Sequence, residues 1–274
     1  MNIKILFLLF FLNFNSFAQF NEIKILTYNI RYDNPHDNIN AWPFRLNKVV
    51  SLINQNEPDI ICLQEVLHSQ LVQLNSVYAK KYLHVGVGRD DGKTKGEYSP
   101  IFYNSKRFKL IKNKTHWLSP TPTIVGSKGW DAALPRIATT LVLFDKILKK
   151  NILIVNTHFD HEGKEARNQS ANYLTNKIKS ELTKMPILFC GDLNAEANDS
   201  PIQIILKDST LFDSYNGQAT SCCGFDIGSH SKRIDYVFYS SKLEKLSSQI
   251  IENNDGRLYP SDHKPVMAIF RLKK

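Results

Sequence analysis

Apolar residues along the chain fall into short runs that end on polar side chains, and this repeated pattern predicts the elements. Ile23 to Ile30 (IKILTYNI) is rich in β-branched and aromatic residues and runs into Asn29-Ile30-Arg31-Tyr32, which predicts a strand handing over to a polar loop. Pro43 opens a helix whose apolar face is Leu46, Val49, Val50 and Ile53, and Pro58 stops it. Asp59 to Leu63 (DIICL) predicts a buried strand ending on Gln64 and Glu65, and Ser69 to Ala79 a second helix. Strand, helix, strand, helix in this order gathers strand ends on one edge of an α/β sheet.

The middle of the chain reads differently. Tyr82 to Gly88 and Tyr98 to Asn104 flank the turn-rich DDGKTKGE and predict a hairpin, with Phe108 to Leu118 as a further extended piece. Pro120, Pro122, Gly126 and Gly129 mark a long loop that carries Trp130 and Asp131. Arg136 to Phe144 and Asn151 to His158 return to strand patterning, so this region is expected to be antiparallel. Glu165 to Leu182 is the best helix, with Ala171, Leu174, Ile178 and Leu182 on one face. It leads to Ile187–Asn194 (ILFCGDLN), a buried strand ending in Gly191, Asp192, Leu193 and Asn194. A short helix at Pro201 to Lys207, an alternating strand over Arg233 to Phe238 and a last strand from Val266 to Phe270 complete the pattern.

The first residues are set apart from the fold. Lys4, the apolar block Ile5 to Leu12 and Ser16-Phe17-Ala18 ahead of Gln19 have the layout of a secretory signal peptide, and the block is shorter than the ~20 residues of a membrane span. We expect a signal peptide over 1–18, one domain over 19–274, and a secreted or periplasmic location. With 42% hydrophobic residues the chain has ample material for a core. The formal charge of +9 favours anionic partners, although a chain rich in Asn, Lys and Ile throughout weakens that inference. Cys62 and Cys190 lie in apolar runs and read as buried thiols. Cys222 and Cys223 are adjacent, where a bond would be strained, so they are expected as separate thiols near a loop; no CxxC or Cys/His spacing suggests a structural zinc site.

Asn29, Glu65, His158, Asp192, Asn194, Asp235, Asp262 and His263 share one property: each stands at, or beside, the end of an apolar strand. Singly, each has a plain structural use. Asp192 and Asn194 suit caps, Asp235 a lone carboxylate on an edge strand, His158 a core histidine and Asp262 a turn before Pro265. Together they form a collection of carboxylates, amides and imidazoles. Carboxylates with few other ligands suit a hard divalent ion such as Mg²⁺ or Mn²⁺, which can polarise a phosphoryl oxygen and orient water. Arg136 and Arg167 are weaker candidates for phosphate contact, Asp160 and His161 are near enough to His158 to contribute, and Tyr98, Trp117 and Trp130 read as packing.

The ordered series TYNIR, LQE, NTHFDH, GDLNA, RIDYVF and SDHKPV resembles the endonuclease/exonuclease/phosphatase superfamily with the deoxyribonuclease-I-like fold, from about Ile23 to Leu272. The resemblance implies a four-layer α/β/β/α sandwich of two mixed β-sheets flanked by helices, with a metal-dependent phosphoesterase site at one edge. It implies Glu65 as principal metal ligand, with Asn29 beside it and Asp262 near the metal, which would be one or two Mg²⁺ or Mn²⁺ ions. Asp192 would orient or deprotonate the attacking water and Asn194 hold a phosphate oxygen. His263 would contact the scissile phosphate, oriented by Asp235, and His158 would assist the leaving group. A Trp-Cys-Asp-Arg pattern of inositol phosphatases is missing, because Pro260-Ser261-Asp262-His263 stands there. The expectation is therefore a secreted, monomeric phosphoesterase that hydrolyses a phosphodiester or a phosphomonoester of nucleic acid, a phosphosugar or a lipid head group by metal-assisted attack of water. A nuclease acting on DNA or RNA specifically is the alternative within the family, and a non-catalytic binding module the alternative outside enzymes.

Overall fold

The computed structural model describes residues 21–207, 210–229, 231–252, 254 and 258–273. The signal peptide expected over 1–18 lies outside these residues. Among the described residues two six-stranded sheets are formed. The first runs in the order β11 (Leu243–Ile250), β12 (Val266–Leu272), β1 (Glu22–Asn29), β2 (Ile60–Gln64), β4 (Ile101–Asn104) and β3 (Tyr82–Val85). The second runs β5 (Phe108–Trp117), β6 (Ile137–Asp145), β7 (Lys150–His158), β8 (Ile187–Asp192), β10 (Asp235–Ser240) and β9 (Leu211–Asp213). Each sheet is mixed: β1 is parallel to β2 and β7 to β8, and the other pairings are antiparallel.

Period-two alternation decides the layering. In β1, Ile23 and Ile25 face the other sheet while Leu26 and Tyr28 face helices. In β8, Leu188 and Cys190 face inward while Ile187 and Phe189 face outward. The outer surface of the first sheet is covered by α1 (Trp42–Asn56) and α2 (His68–Tyr78), and that of the second by α3 (Lys164–Lys179) and α4 (Ser200–Leu206). The result is the expected helix, sheet, sheet, helix sandwich.

The inter-sheet layer changes character toward one edge. The inward series Ile25, Thr27, Asn29 turns polar along β1, as do Ile60, Cys62, Gln64 along β2, Ile154, Asn156, His158 along β7 and Leu188, Cys190, Asp192 along β8. A polar bridge marks the transition: Gln64 Nε2 donates to Thr27 Oγ1 at 3.0 Å and to Asn156 Oδ1 at 2.7 Å, and Asn156 Nδ2 donates to the carbonyls of Leu63 and Pro100. At the opposite edge Arg107 ties the sheets together through Asp59 at 2.9 Å and Asp145 at 2.8 Å.

Gly191 shows why the β7–β8 pair needs its sequence. Its φ is 154°, and a Cβ there would lie 2.1 Å from the Thr157 carbonyl oxygen, so only glycine allows this approach. Gly191→Ala is expected to cost about 1–3 kcal/mol of stability, read as a lower urea midpoint with an unchanged slope. An unchanged midpoint would refute this account of the glycine.

Three expectations are revised. β9 and β11 were not anticipated: β9 has three residues, and β11 is a polar edge strand whose buried residues are only Leu243 and Ile250 at its ends. The antiparallel middle is real but divided, since the β3–β4 hairpin belongs to the first sheet and β5 to β7 belong to the second. Finally, Cys222 and Cys223 are not separate thiols. They are bonded to each other, with Cys222 buried and Cys223 exposed, because main-chain pairing on both sides of the dipeptide holds the two side chains together. Cys62 and Cys190 are buried free thiols, as expected.

Candidate active site

The strand ends converge around Asp192. Register places it between His158 of β7 and Asp235 of β10, so three polar residues stand side by side across the second sheet. Asp192 Oδ2 lies 2.9 Å from Asn29 Nδ2, 3.5 Å from His158 Nε2 and 3.7 Å from His263 Nε2, while Oδ1 accepts the Asn194 N–H at 3.0 Å. Asn29 brings in the first sheet: its Nδ2 also donates to Glu65 Oε1 at 3.0 Å, and its Oδ1 accepts from Arg31 N. Glu65 Oε2 accepts from Tyr32 N at 3.1 Å. Asp262 is tied in by Ser261, whose Oγ donates to the Asn29 carbonyl, and by Arg31 Nη1 at 3.8 Å. All eight candidates therefore belong to one cluster.

Backbone conformation aims them. Arg31, Glu65 and Asn194 have φ of 58°, 59° and 46°, so β1, β2 and β8 each leave their sheet through a left-handed turn at a non-glycine residue. Such positions cost about 1–3 kcal/mol each and persist only where surroundings enforce them. Here Arg45 does much of the enforcing. Fully buried at the start of α1, it donates to the carbonyls of Ile30, Arg31 and Pro260, joining the end of β1 to the segment that carries Asp262 and His263. Gln70 adds a donor to the Arg31 carbonyl.

The two histidines are in opposite states. Asn194 Nδ2 donates to the Phe159 carbonyl and, with its other hydrogen, to His158 Nε2, both at 3.0 Å. His158 Nε2 is thus an acceptor and carries no proton. Burial, with the positive charges of Arg136 and Arg89, also holds its pKa well below the ordinary histidine value. His263 is buried as well, which disfavours its charge, but Asp235 and Asp192 outweigh burial and raise its pKa well above the ordinary value. Its Nδ1 donates to Asp235 Oδ2 at 2.9 Å, leaving a charged Nε2–H beside Asp192.

Replacing Asp235 by Asn removes part of what keeps His263 protonated. Below the ordinary histidine pKa the charged pair contributes its full stability, and that contribution is lost as pH rises through the raised folded value. In Asp235→Asn the alkaline limb of the pH–rate profile is expected to move to lower pH. An alkaline limb that stays in place would disprove the pairing's role.

Carboxylates outnumber the cations here. Burial, followed by repulsion from Asp235, pushes the Asp192 carboxyl up to about 7, and burial also raises Asp262. Asp235 Oδ1 is buried with no partner among the described residues. Asp192, Asp235 and His263 present ligand atoms within 4.8 Å of one another. Glu65 and Asp262 interact electrostatically across the same space. Such a surplus of oxygen donors fits a hard divalent cation. Asn29 directs its amide hydrogens to Glu65 and Asp192 and so spaces the two carboxylates, while its Oδ1, the atom that would face an ion, accepts from Arg31 N.

Sequence reasoning missed Glu97 and Arg89. Glu97 Oε2 lies 3.7 Å from His158 Nδ1 and accepts from Arg89 Nη1 at 2.8 Å, placing a carboxylate behind the neutral histidine. Their signal was the turn-rich segment itself, since the β3–β4 loop lies at the same edge as the ends of β1 and β2. Asp160 proves structural: its carboxylate accepts from Arg136 and from four backbone N–H groups of the surrounding loops, while His161 Nδ1 bonds Arg136 at 2.8 Å. Arg167 donates to the Asp160 carbonyl. Tyr98 and Trp117 pack as expected, whereas Trp130 is 37% exposed.

Comparison with known proteins agrees with the geometry. A sequence profile described as the Endonuclease/Exonuclease/phosphatase family matches residues 26–263. The chain belongs to this family of hydrolases acting on phosphoester bonds. It is similar to a solved endonuclease/exonuclease/phosphatase of Bacteroides vulgatus, with 36% identity and a TM-score of 0.85 over 92% of this chain and 99% of that one. It is also similar to a mannosyl-6-phosphatase of Bacteroides thetaiotaomicron, with 31% identity and a TM-score of 0.85 over 90% of this chain and 99% of that one. Nocturnin of Drosophila melanogaster is 25% identical over 85% of this chain and 42% of its own length.

Proposed function

We propose that the protein is an exported phosphomonoesterase that uses Mg²⁺ or Mn²⁺ to hydrolyse phosphorylated sugars. The observation that carries the catalytic half is Asp192 set in register between His158 and Asp235, with protonated His263 above it and Glu65 and Asp262 opposite. The substrate half is supported by the similarity to a mannosyl-6-phosphatase along nearly the whole of both chains.

Glu65 and Asp262 would hold the ion, which when bound neutralises charge on the phosphoryl oxygens. Asp192 accepts the proton of the attacking water and keeps that water near the phosphorus. His263, positively charged and fixed by Asp235, donates its Nε2–H to a phosphoryl oxygen as charge develops there. His158, unprotonated at Nε2, holds Asn194 in place in the free enzyme. When substrate enters, an amide hydrogen of Asn194 is free to turn toward a phosphate oxygen, and the departing sugar oxygen takes its proton from solvent water while the proton on Asp192 returns to solvent. The protein would act as a monomer outside the cytoplasm, after loss of residues 1–18. Among the described residues, no helix is long and apolar enough to cross a membrane.

A nuclease is the second reading, favoured by the formal charge of +9. A panel of mannose 6-phosphate, other hexose phosphates, inositol phosphates, phospholipids, single-stranded RNA and DNA separates them. Release of inorganic phosphate from a hexose phosphate, with nucleic acid left intact, is expected. Cleavage of RNA or DNA at a higher kcat/KM than any sugar phosphate would displace the sugar reading.

A further inference from the structure

The CCGF segment is not used by the proposed chemistry, yet the fold fastens it to the catalytic histidine. Cys222 forms an antiparallel bridge with His263. Lys264 N donates to the Ser221 carbonyl at 2.7 Å and Gly224 N to the Asp262 carbonyl at 2.9 Å, so residues 221–224 and 262–264 lie side by side as a short ribbon. On its other side Cys222 exchanges main-chain bonds with Lys232, both at 2.9 Å. The two sulfur atoms and a ring nitrogen of His263 all lie within 4.8 Å of one another. No spacing in the sequence announced this group, because His263 arrives from 40 residues downstream through strand pairing.

We propose that Cys222, Cys223 and His263 form a binding site for a thiophilic divalent ion such as Zn²⁺ once the cysteine bond is reduced, and that filling it switches the phosphoesterase off. Two thiolates and an imidazole are soft to borderline donors, matched to Zn²⁺ or Co²⁺ and poorly matched to Mg²⁺. The oxygen donors Glu65 and Asp262 have the reverse preference. Two sites of opposite selectivity therefore share one neighbourhood, with His263 a ligand of the soft site and the phosphate contact of the reaction. The binding half of the proposal rests on this geometry alone; the inhibitory half rests on the catalytic reading of His263.

The chemistry balances with a dithiol reductant. Its two thiols reduce the Cys222–Cys223 bond to two thiols and close to a cyclic disulfide. Binding of the ion then forms two metal–sulfur bonds and releases the two thiol protons. Exposed Cys223 gives the reductant its point of attack. Ligation by His263 consumes either the Nδ1 contact with Asp235 at 2.9 Å or the Nε2 that faces Asp192, and phosphate contact requires both. Inhibition thus follows from occupancy.

The test uses the full chain and Co²⁺ as a spectroscopic probe. The protein is reduced with a dithiol, freed of reductant without air, counted for thiols and titrated with Co²⁺. Reduced wild type is expected to gain two thiols over the oxidised protein and a thiolate-to-cobalt charge-transfer band saturating at one ion per chain. The oxidised protein and Cys223→Ser should lack that band, and His263→Ala should show it with weaker binding. Zn²⁺ should then bleach the band and abolish Mg²⁺-supported turnover of reduced wild type, while Cys223→Ser keeps its turnover. A pair that resists the reductant, a reduced protein with no band, or an equal band in Cys223→Ser would overturn the site. A normal band with undiminished turnover under Zn²⁺ would overturn the inhibition alone. Because absorbance is read without substrate, failure of the phosphoesterase reading leaves this result intact and distinguishable.

Discussion

His263→Ala is expected to lower kcat by about 10²–10⁴-fold while KM changes far less. The size follows from what is removed. Nε2–H is a charged donor in a buried site, held in one orientation by Asp235 at 2.9 Å and kept protonated by Asp235 and Asp192. Its interaction with a phosphoryl oxygen strengthens as negative charge accumulates there, so the loss belongs to the transition state and appears in kcat. Stability must be followed alongside, because alanine leaves both oxygens of buried Asp235 without partners and costs about 1–3 kcal/mol. His263→Gln retains an uncharged donor and separates the effects. It should fold close to wild type and remain strongly impaired, and a well-folded His263→Gln with wild-type kcat would remove His263 from the reaction.

Glu65→Gln is expected to weaken the metal response most. The change is nearly isosteric, and one oxygen remains to accept from Asn29 Nδ2 or Tyr32 N. What is lost is a negative charge opposite Asp262. Outer partners of metal ligands typically cost 10–100-fold when removed, so loss of a ligand itself should lower the metal-supported rate by at least about 10²-fold. The Mg²⁺ concentration for half-maximal rate should rise as well. An activation curve superimposable on wild type would move the ion away from Glu65.

Much of this was legible in the sequence because strand ends are chemically conspicuous. Apolar runs that stop at Asn29, Glu65, His158 and Asp192, and one that starts at Asp235, mark both the strand and the edge it reaches, since period two carries the inward face from core into site. What was not legible depends on contacts between distant segments. Glu97 and Arg89 sit in a loop whose turn residues place it at the strand-end edge, but nothing in the sequence says that it lies beside His158 of β7. Arg45 looks like an ordinary helix residue, and only the fold shows that it grips the carbonyls of Ile30 and Pro260. The state of His158 follows from an amide that must face the Phe159 carbonyl, a fact of geometry with no sequence signature. Likewise β11, with polar residues along an edge, offers no apolar run to detect.

The account rests on a carboxylate-held divalent ion acting with His263 on a phosphate ester. Phosphate release from mannose 6-phosphate by the mature chain, measured before chelation, after chelation and after Mg²⁺ is restored, tests it most directly. Turnover that disappears with chelator and returns with Mg²⁺ is the predicted result. Turnover indifferent to the chelator would contradict it.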